Sequence, residues 1–219
     1  MATPAENLVL KHTFEPTTEL VLSAQEIGFR AWLAQFGAYR TSMEIRRMFD
    51  PVVPNRNTER LLEQMQEKAE IGLFSGIVAL RGSMEVGYAW AADDMSGGRG
   101  ERFYKKHVKG RKPYAWLAQI NVLPKYQRQG IGSAMMLEVL EPFDIYQRPT
   151  AYVFDENPDV LKWFRRRGFS PSEQKPTKKY DYFGEEADPA MQWCLVAPGI
   201  GVVQDFIRRS GELPIYYVE

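Results

Sequence analysis

The sequence predicts an α/β protein with helices on both faces of a central sheet. Two observations carry this. Stretches with an apolar residue at every second position interleave with stretches whose apolar residues recur at helical spacing, in the order strand, helices, three strands, helix, strand, helix, two strands. A length of 219 residues with 44% hydrophobic and 26% charged content also suits one good-sized core.

Residues 8–14 alternate and read as a first strand. Ser23-Ala24-Gln25-Glu26 has the spacing of a capping box and precedes Ile27, Ala31, Trp32 and Phe36, so a helix is expected from there. Thr41-Ser42-Met43-Glu44 repeats the device before Ile45, Met48 and Phe49. Pro51 and Pro54 stop that helix, and Asn57 is placed to cap a third, carrying Leu61, Leu62, Met65 and Ala69. Strands over 75–81 and 85–91 flank Gly82-Ser83, a hairpin signal. After a polar insertion at 93–113, strict alternation puts Trp116, Ala118, Ile120 and Val122 on one strand face and Leu117, Gln119, Asn121 and Leu123 on the other. A helix over 130–141 and a strand over 150–154 follow. Asn157-Pro158 opens a further helix, which Gly168 ends. A last core strand spans 191–196. Pro198-Gly199 breaks the pattern, so we expect a domain over 1–197 and a C-terminal appendage over 198–219.

Composition narrows the function classes. Twenty-eight basic residues balance twenty-eight acidic ones, which argues against nucleic acid as a partner. No apolar run approaches the roughly 18 residues of a spanning helix, so no membrane partner is expected. The start, Met1 to Glu6, lacks the basic and apolar regions of a secretory signal. Cys194 is the only cysteine, so no internal disulfide can form and a cytoplasmic setting is expected. Its apolar neighbours favour a packed thiol over a nucleophile. His12 and His107 have no companions at ligand spacing, and no metal is expected.

The chemistry concentrates where the strand ending at Leu123 meets Pro124-Lys125-Tyr126-Gln127-Arg128-Gln129-Gly130-Ile131-Gly132-Ser133-Ala134. A strand breaking at proline, a short basic loop and a glycine-bearing helix start together aim backbone N–H groups and a positive helix terminus at one spot, which suits a pyrophosphate. The third glycine of a dinucleotide-binding turn is replaced by Met135, and the Gly-Lys-Ser/Thr of a P-loop is absent. Gln127-x-x-Gly130-x-Gly132 after such a strand resembles the acyl-CoA pyrophosphate loop of the GNAT superfamily of N-acetyltransferases. Asn157-Pro158-Asp159-Val160-Leu161-Lys162-Trp163-Phe164-Arg165-Arg166-Arg167-Gly168-Phe169 resembles that family's later cofactor-contacting helix.

The resemblance, firm over about 72–170, implies a mixed, mostly antiparallel sheet and acetyl-CoA as the acyl donor. It implies cofactor contacts from Ile120, Val122 and Leu123, from Gln127 through Ala134 (Arg128, Gln129, Gly130, Ile131, Gly132 and Ser133 between them), from Asn157 and Phe164, and from Arg165. Asn157 is otherwise a plain helix cap, and Arg165 to Arg167 otherwise a solvated face. The backbone N–H of Val122 is the expected donor to the acyl carbonyl. Many members carry a tyrosine acid where this chain has Phe164, which cannot supply a proton. Tyr126 and Tyr152 then stand as candidate acids, with water as the alternative, and Gln119 and Asn121 as holders of a relaying water.

On the acceptor side two signals conflict. Arg99, Arg102, Lys105, Lys106, Lys109, Arg111 and Lys112 would attract anions, whereas Asp181, Glu185, Glu186 and Asp188 would attract a cationic amine. The sequence thus points to an N-acetyltransferase working by direct transfer in a ternary complex, with a protein, peptide or small cationic amine as acceptor. The alternative is a degenerate acyl-CoA-binding sensor or scaffold. In the appendage Val202, Val203, Phe206 and Ile207 form one stripe, to be covered by this core or by a second copy in a homodimer.

Overall fold

A computed structural model describes residues 7–37, 40–49, 58–93, 114–176, 178–180 and 190–219. Strand β1 (Leu8–Thr13) is followed by helices α1 (Thr18–Phe36), α2 (Ser42–Phe49) and α3 (Thr58–Ile71), then by the hairpin β2 (Phe74–Arg81) and β3 (Met84–Asp93). Strand β4 (Tyr114–Val122), a 3₁₀ turn at Pro124–Tyr126, helix α4 (Ile131–Leu140), β5 (Arg148–Phe154) and α5 (Pro158–Arg165) follow. Short strands β6 (Ser170–Pro171) and β7 (Lys178–Tyr180) precede β8 (Ala190–Val196), α6 (Ile200–Ser210) and β9 (Tyr216–Val218).

The strands form one sheet in the order β6-β8-β5-β4-β3-β2-β1-β9, with β7 also pairing β8. Only β4–β5 and β1–β9 pair in parallel; the other pairs are antiparallel. This is the mixed, mostly antiparallel sheet that the resemblance implies. Helix α1 packs on one face over Phe74, Tyr88 and Trp90. Helices α4, α5 and α6 share the other face with Ile77, Ala89, Leu117 and Leu195. No helix among the described residues is long and apolar enough to cross a membrane.

Local chemistry explains where several elements begin. The Thr41 capping box closes in both directions: Glu44 N–H donates to Thr41 Oγ1 at 3.2 Å and Thr41 N–H to Glu44 Oε2 at 2.6 Å. Helix α1, by contrast, begins five residues before the expected Ser23. Thr17 is its cap, taking the Leu20 N–H at 3.1 Å, and Ser23 lies inside the helix. The expected Asn57 cap lies outside the described residues, as do Pro51, Pro54, His107 and both charge runs on the acceptor side.

Strict alternation along β4 does not hold. The register with β3 slips between Trp90 and Ala91, leaving Ala118 as an extra residue. Leu117 thus packs with Ile120 and Val122 toward α4, whereas Trp116 and Ala118 pack toward α1, with Leu123. The bulge also moves Gln119 and Asn121 to the α1 side, where Tyr88 and Trp90 meet them.

Residues 198–219, expected as an appendage, are woven into this framework. Ile200, Val203 and Ile207 are fully buried in the α4 core, while Val202 and Phe206 of the same stripe are exposed. Strand β9 lies along β1, Glu219 accepting from His12 N–H at 2.7 Å and donating to Leu10 O at 3.0 Å.

Candidate active site

Strands β4 and β5 pair only over Tyr114↔Arg148, Ala115↔Pro149 and Trp116↔Thr150. Beyond that point β4 continues to Val122 against β3, and β5 to Phe154 against β8. The two strands part and leave a gap between facing backbone edges. Register decides what β4 presents there. Leu123 N–H donates to Val86 O at 2.8 Å, which makes them a hydrogen-bonded pair. Antiparallel alternation then turns the backbone groups of Val122 and Ile120, opposite Gly87 and Ala89, outward into the gap. Leu123, expected beside them in cofactor contact, spends its N–H inside the sheet. The Val122 carbonyl accepts from Gln127 Nε2 at 2.9 Å, which ties the following loop to the strand end.

That loop curves through two left-handed residues, Arg128 at φ 61° and Gly130 at φ 77°. Gly130 is the N-cap of α4, and its carbonyl takes the N–H groups of Ser133 and Ala134, each at 3.0 Å. The N–H groups of Gly130, Ile131 and Gly132 precede the first intrahelical bond, at the positive end of the helix. Arg128 and Gln129 are exposed beside it, while Ile131, Ser133 and Ala134 are buried.

The two glycines make room for different neighbours. A Cβ on Gly132 would meet Trp163 Cζ2 at 3.5 Å and Val122 Cγ2 at 3.9 Å, so the first turn of α4, the end of β4 and α5 converge there. A Cβ on Gly130 would stand 1.9 Å from the carbonyl oxygen of Glu212. The space beside Gly130 belongs to the chain's own C-terminal segment.

Helix α5 places Phe164 and corrects the expectation of a solvated face at Arg167. Phe164 is an interior residue, set edge-on to Trp163 and Phe169, each with ring centroids 5.0 Å away. Arg165 is exposed, but Arg167 is not the solvated arginine expected: it is 3% exposed. Its guanidinium stacks over Trp163 at 4.0 Å and donates to Trp163 O at 2.8 Å, to Ser133 Oγ and to Glu212 Oε2 at 2.9 Å. Asn157 caps α5 by accepting the Val160 N–H at 3.1 Å, and its amide donates to Gln35 Oε1 of α1 at 3.2 Å.

On the α1 side of the gap the expected polar residues are engaged with one another. Trp32 Nε1 donates to Asn121 Oδ1 at 3.1 Å, Asn121 Nδ2 to Tyr88 Oη at 2.9 Å, and Tyr88 Oη to Gln119 Oε1 at 2.7 Å. Trp90 Nε1 adds a 3.3 Å bond to the same Gln119 oxygen. Tyr88 is wholly buried, and burial raises its pKa far above the ordinary value. Tyr126 stands apart, in the 3₁₀ turn, its hydroxyl 3.5 Å from Met84 Sδ. His12 is three strands from the gap, on Ser75 Oγ at 2.8 Å.

The structure therefore groups Ile120, Val122, Gln127 and the start of α4 at one end of the gap, with Gln119 and Asn121 on its α1 face. Sequence reasoning missed Trp32, Tyr88, Trp163, Arg167 and Glu212. Trp163 and Arg167 stand in a motif that the sequence singles out; Trp32, Tyr88 and Glu212 carry no local signal.

The site is thus a splayed parallel strand pair beside a left-handed, helix-capping loop. The sequence model of the acetyltransferase (GNAT) family matches residues 43–169, and the chain belongs to that family. No curated protein matches the chain by sequence. Among solved structures it resembles the PaiA N-acetyltransferase of Thermoplasma acidophilum in complex with coenzyme A, with TM-score 0.57 and 14% identity over 86% of this chain and 98% of that one. YncA of Salmonella typhimurium, a putative acetyltransferase with its cofactor acetyl-CoA, gives TM-score 0.52 and 14% identity over 86% and 93%. The ribosomal-protein-S18-alanine N-acetyltransferase of Escherichia coli gives 0.50 and 15% over 86% and 93%. At these identities the likeness concerns the fold.

Proposed function

We propose that this chain is an acetyl-CoA-dependent N-acetyltransferase, passing the acetyl group directly to a primary amine in a ternary complex. The observation that carries the reading is the outward backbone of Ile120 and Val122 at a gap that ends on the capping loop of α4. The helix start and Arg128 hold the phosphates, and the β4 edge pairs with the pantetheine arm as an added strand would. The N–H of Val122 polarises the acyl carbonyl, since the Val122 carbonyl is already bound by Gln127. Gln119 and Asn121 orient the acceptor side through the Tyr88 network. Amides take no proton, so water carries the amine's proton away, and the thioester C–S bond breaks to release the coenzyme A thiolate, which water protonates to the thiol. Transfer is assigned to residues 1–197, braced by 198–219, in a cytoplasmic protein.

A second reading, an acyl-CoA-binding sensor without turnover, is favoured by one observation: a phenylalanine, buried, occupies the position of the expected acid. A thiol-release assay with acetyl-CoA across peptide N-termini, lysine peptides and polyamines separates the two. Turnover of any amine supports the enzyme. Tight acetyl-CoA binding without release of thiol on the whole panel supports the sensor. Gly132→Glu places bulk and negative charge at the loop and should abolish acetyl-CoA binding; unchanged affinity by calorimetry in a folded variant would overturn both readings.

A further inference from the structure

Arg167 is the most enclosed cation at this end of the molecule, and its bonds join three elements that are distant in sequence. Nη2 reaches both Ser133 Oγ, in the first turn of α4, and Glu212 Oε2, in the segment that follows α6. Nη1 holds the Trp163 carbonyl, and the buried Nε has no partner. Glu212 differs from Arg167 in its surroundings: its side chain is 49% exposed, against 4% for the arginine. It follows Gly211, whose left-handed backbone at φ 67° closes α6 in open space, and its own carbonyl rests beside Gly130.

A buried guanidinium is costly to desolvate and is held in place by the anion it faces. Here the visible anion is a half-exposed carboxylate on a short strap. Ser133, which the guanidinium holds, lies in the first turn of α4, whose start is read above as the phosphate site. We propose that Arg167 is a positioning residue for the phosphate end of the acyl donor, setting the charge behind the α4 loop and fixing Ser133, and that Glu212 is an internal counter-anion attenuating that charge. The inference rests on the reading of the loop as the cofactor's phosphate site.

The test compares coenzyme A with S-acetylpantetheine, which lacks the phosphates of the nucleotide end, by calorimetry at low and high salt. The parent protein is titrated first; if it binds no coenzyme A, the phosphate-site reading falls and this inference with it. Glu212→Gln keeps the shape and a hydrogen-bond acceptor but removes the charge. It should tighten coenzyme A about three-fold at low salt, lose that gain at high salt, and leave S-acetylpantetheine unchanged. Arg167→Met should weaken coenzyme A about ten-fold or more, with S-acetylpantetheine within about two-fold. A merely structural role predicts that both ligands shift together. Should Arg167→Met fail to fold, the exposed Glu212 still decides: coenzyme A bound no tighter by folded Glu212→Gln than by a binding-competent parent overturns the proposal.

Discussion

The indole of Trp32 in α1 and the amide of Asn121 in β4 share a hydrogen bond of 3.1 Å, and Asn121 is only 6% exposed. The same amide donates to the fully buried Tyr88. Asn121→Leu would therefore remove the bond from the indole N–H and a bond to a buried hydroxyl. The expected cost is on the order of 2–4 kcal/mol, read from urea unfolding followed by tryptophan fluorescence. A loss below half a kcal/mol would mean that water replaces the amide.

The two loop glycines should respond in opposite ways. Gly130→Ala adds a Cβ where Glu212 O already sits, at a backbone φ of 77°. A loss of roughly 2 kcal/mol or more is expected from strain and displacement of the strap. Gly132→Ala meets neighbours at ordinary contact distance inside a helix and should stabilise by about 0.5–1 kcal/mol. Thermal melts of both variants check the contrast.

Phe164→Tyr tests whether the missing acid can be restored. The ring is enclosed between Trp163 and Phe169, so the added hydroxyl enters the apolar core without a partner. We expect a loss of about 1–3 kcal/mol and no gain in thiol release. A faster enzyme of unchanged melting temperature would show that the ring edge opens toward the gap.

Tyr88 supplies a pH signature. Its folded pKa is raised above the ordinary 10.0 by burial, so the unfolded state loses this proton first as pH rises. Stability from this group is complete below pH 10 and declines above it. The urea midpoint should fall as pH rises from 10 toward 12, and less steeply in Tyr88→Phe. Identical slopes in the two proteins would show that Tyr88 ionises as freely folded as unfolded.

The parts of the molecule that were legible in the sequence are those decided within a few residues. The Thr41 box, the Asn157-Pro158 cap, the Gly82-Ser83 hairpin and the loop from Gln127 to Gly132 each carry their own chemistry. The bulge at Ala118 does not: nothing beside an alanine announces an extra residue, and the slip is set by the pairing of β3 with β4. Nor do Arg165, Arg166 and Arg167 differ as letters. Helix α5 ends at Arg165, and only the turn beyond it swings Arg167 beneath α4. Gly130 stands out in the sequence as a loop glycine, but its tightest neighbour is Glu212, a contact that no local pattern encodes.

The pairing of β9 with β1 has a consequence for how the chain is made. The outer edge of Leu8–Thr13 stays uncovered until Tyr216–Val218 have been added, roughly 200 residues later. At ribosomal speeds of about 5–20 residues per second, that interval lasts on the order of ten seconds or more. For that time an alternating apolar strand with an open edge is available to other nascent chains. Slowed translation between the codons for β1 and β9, or loss of β9, should therefore appear as aggregation during expression before it appears as a change in coenzyme A binding.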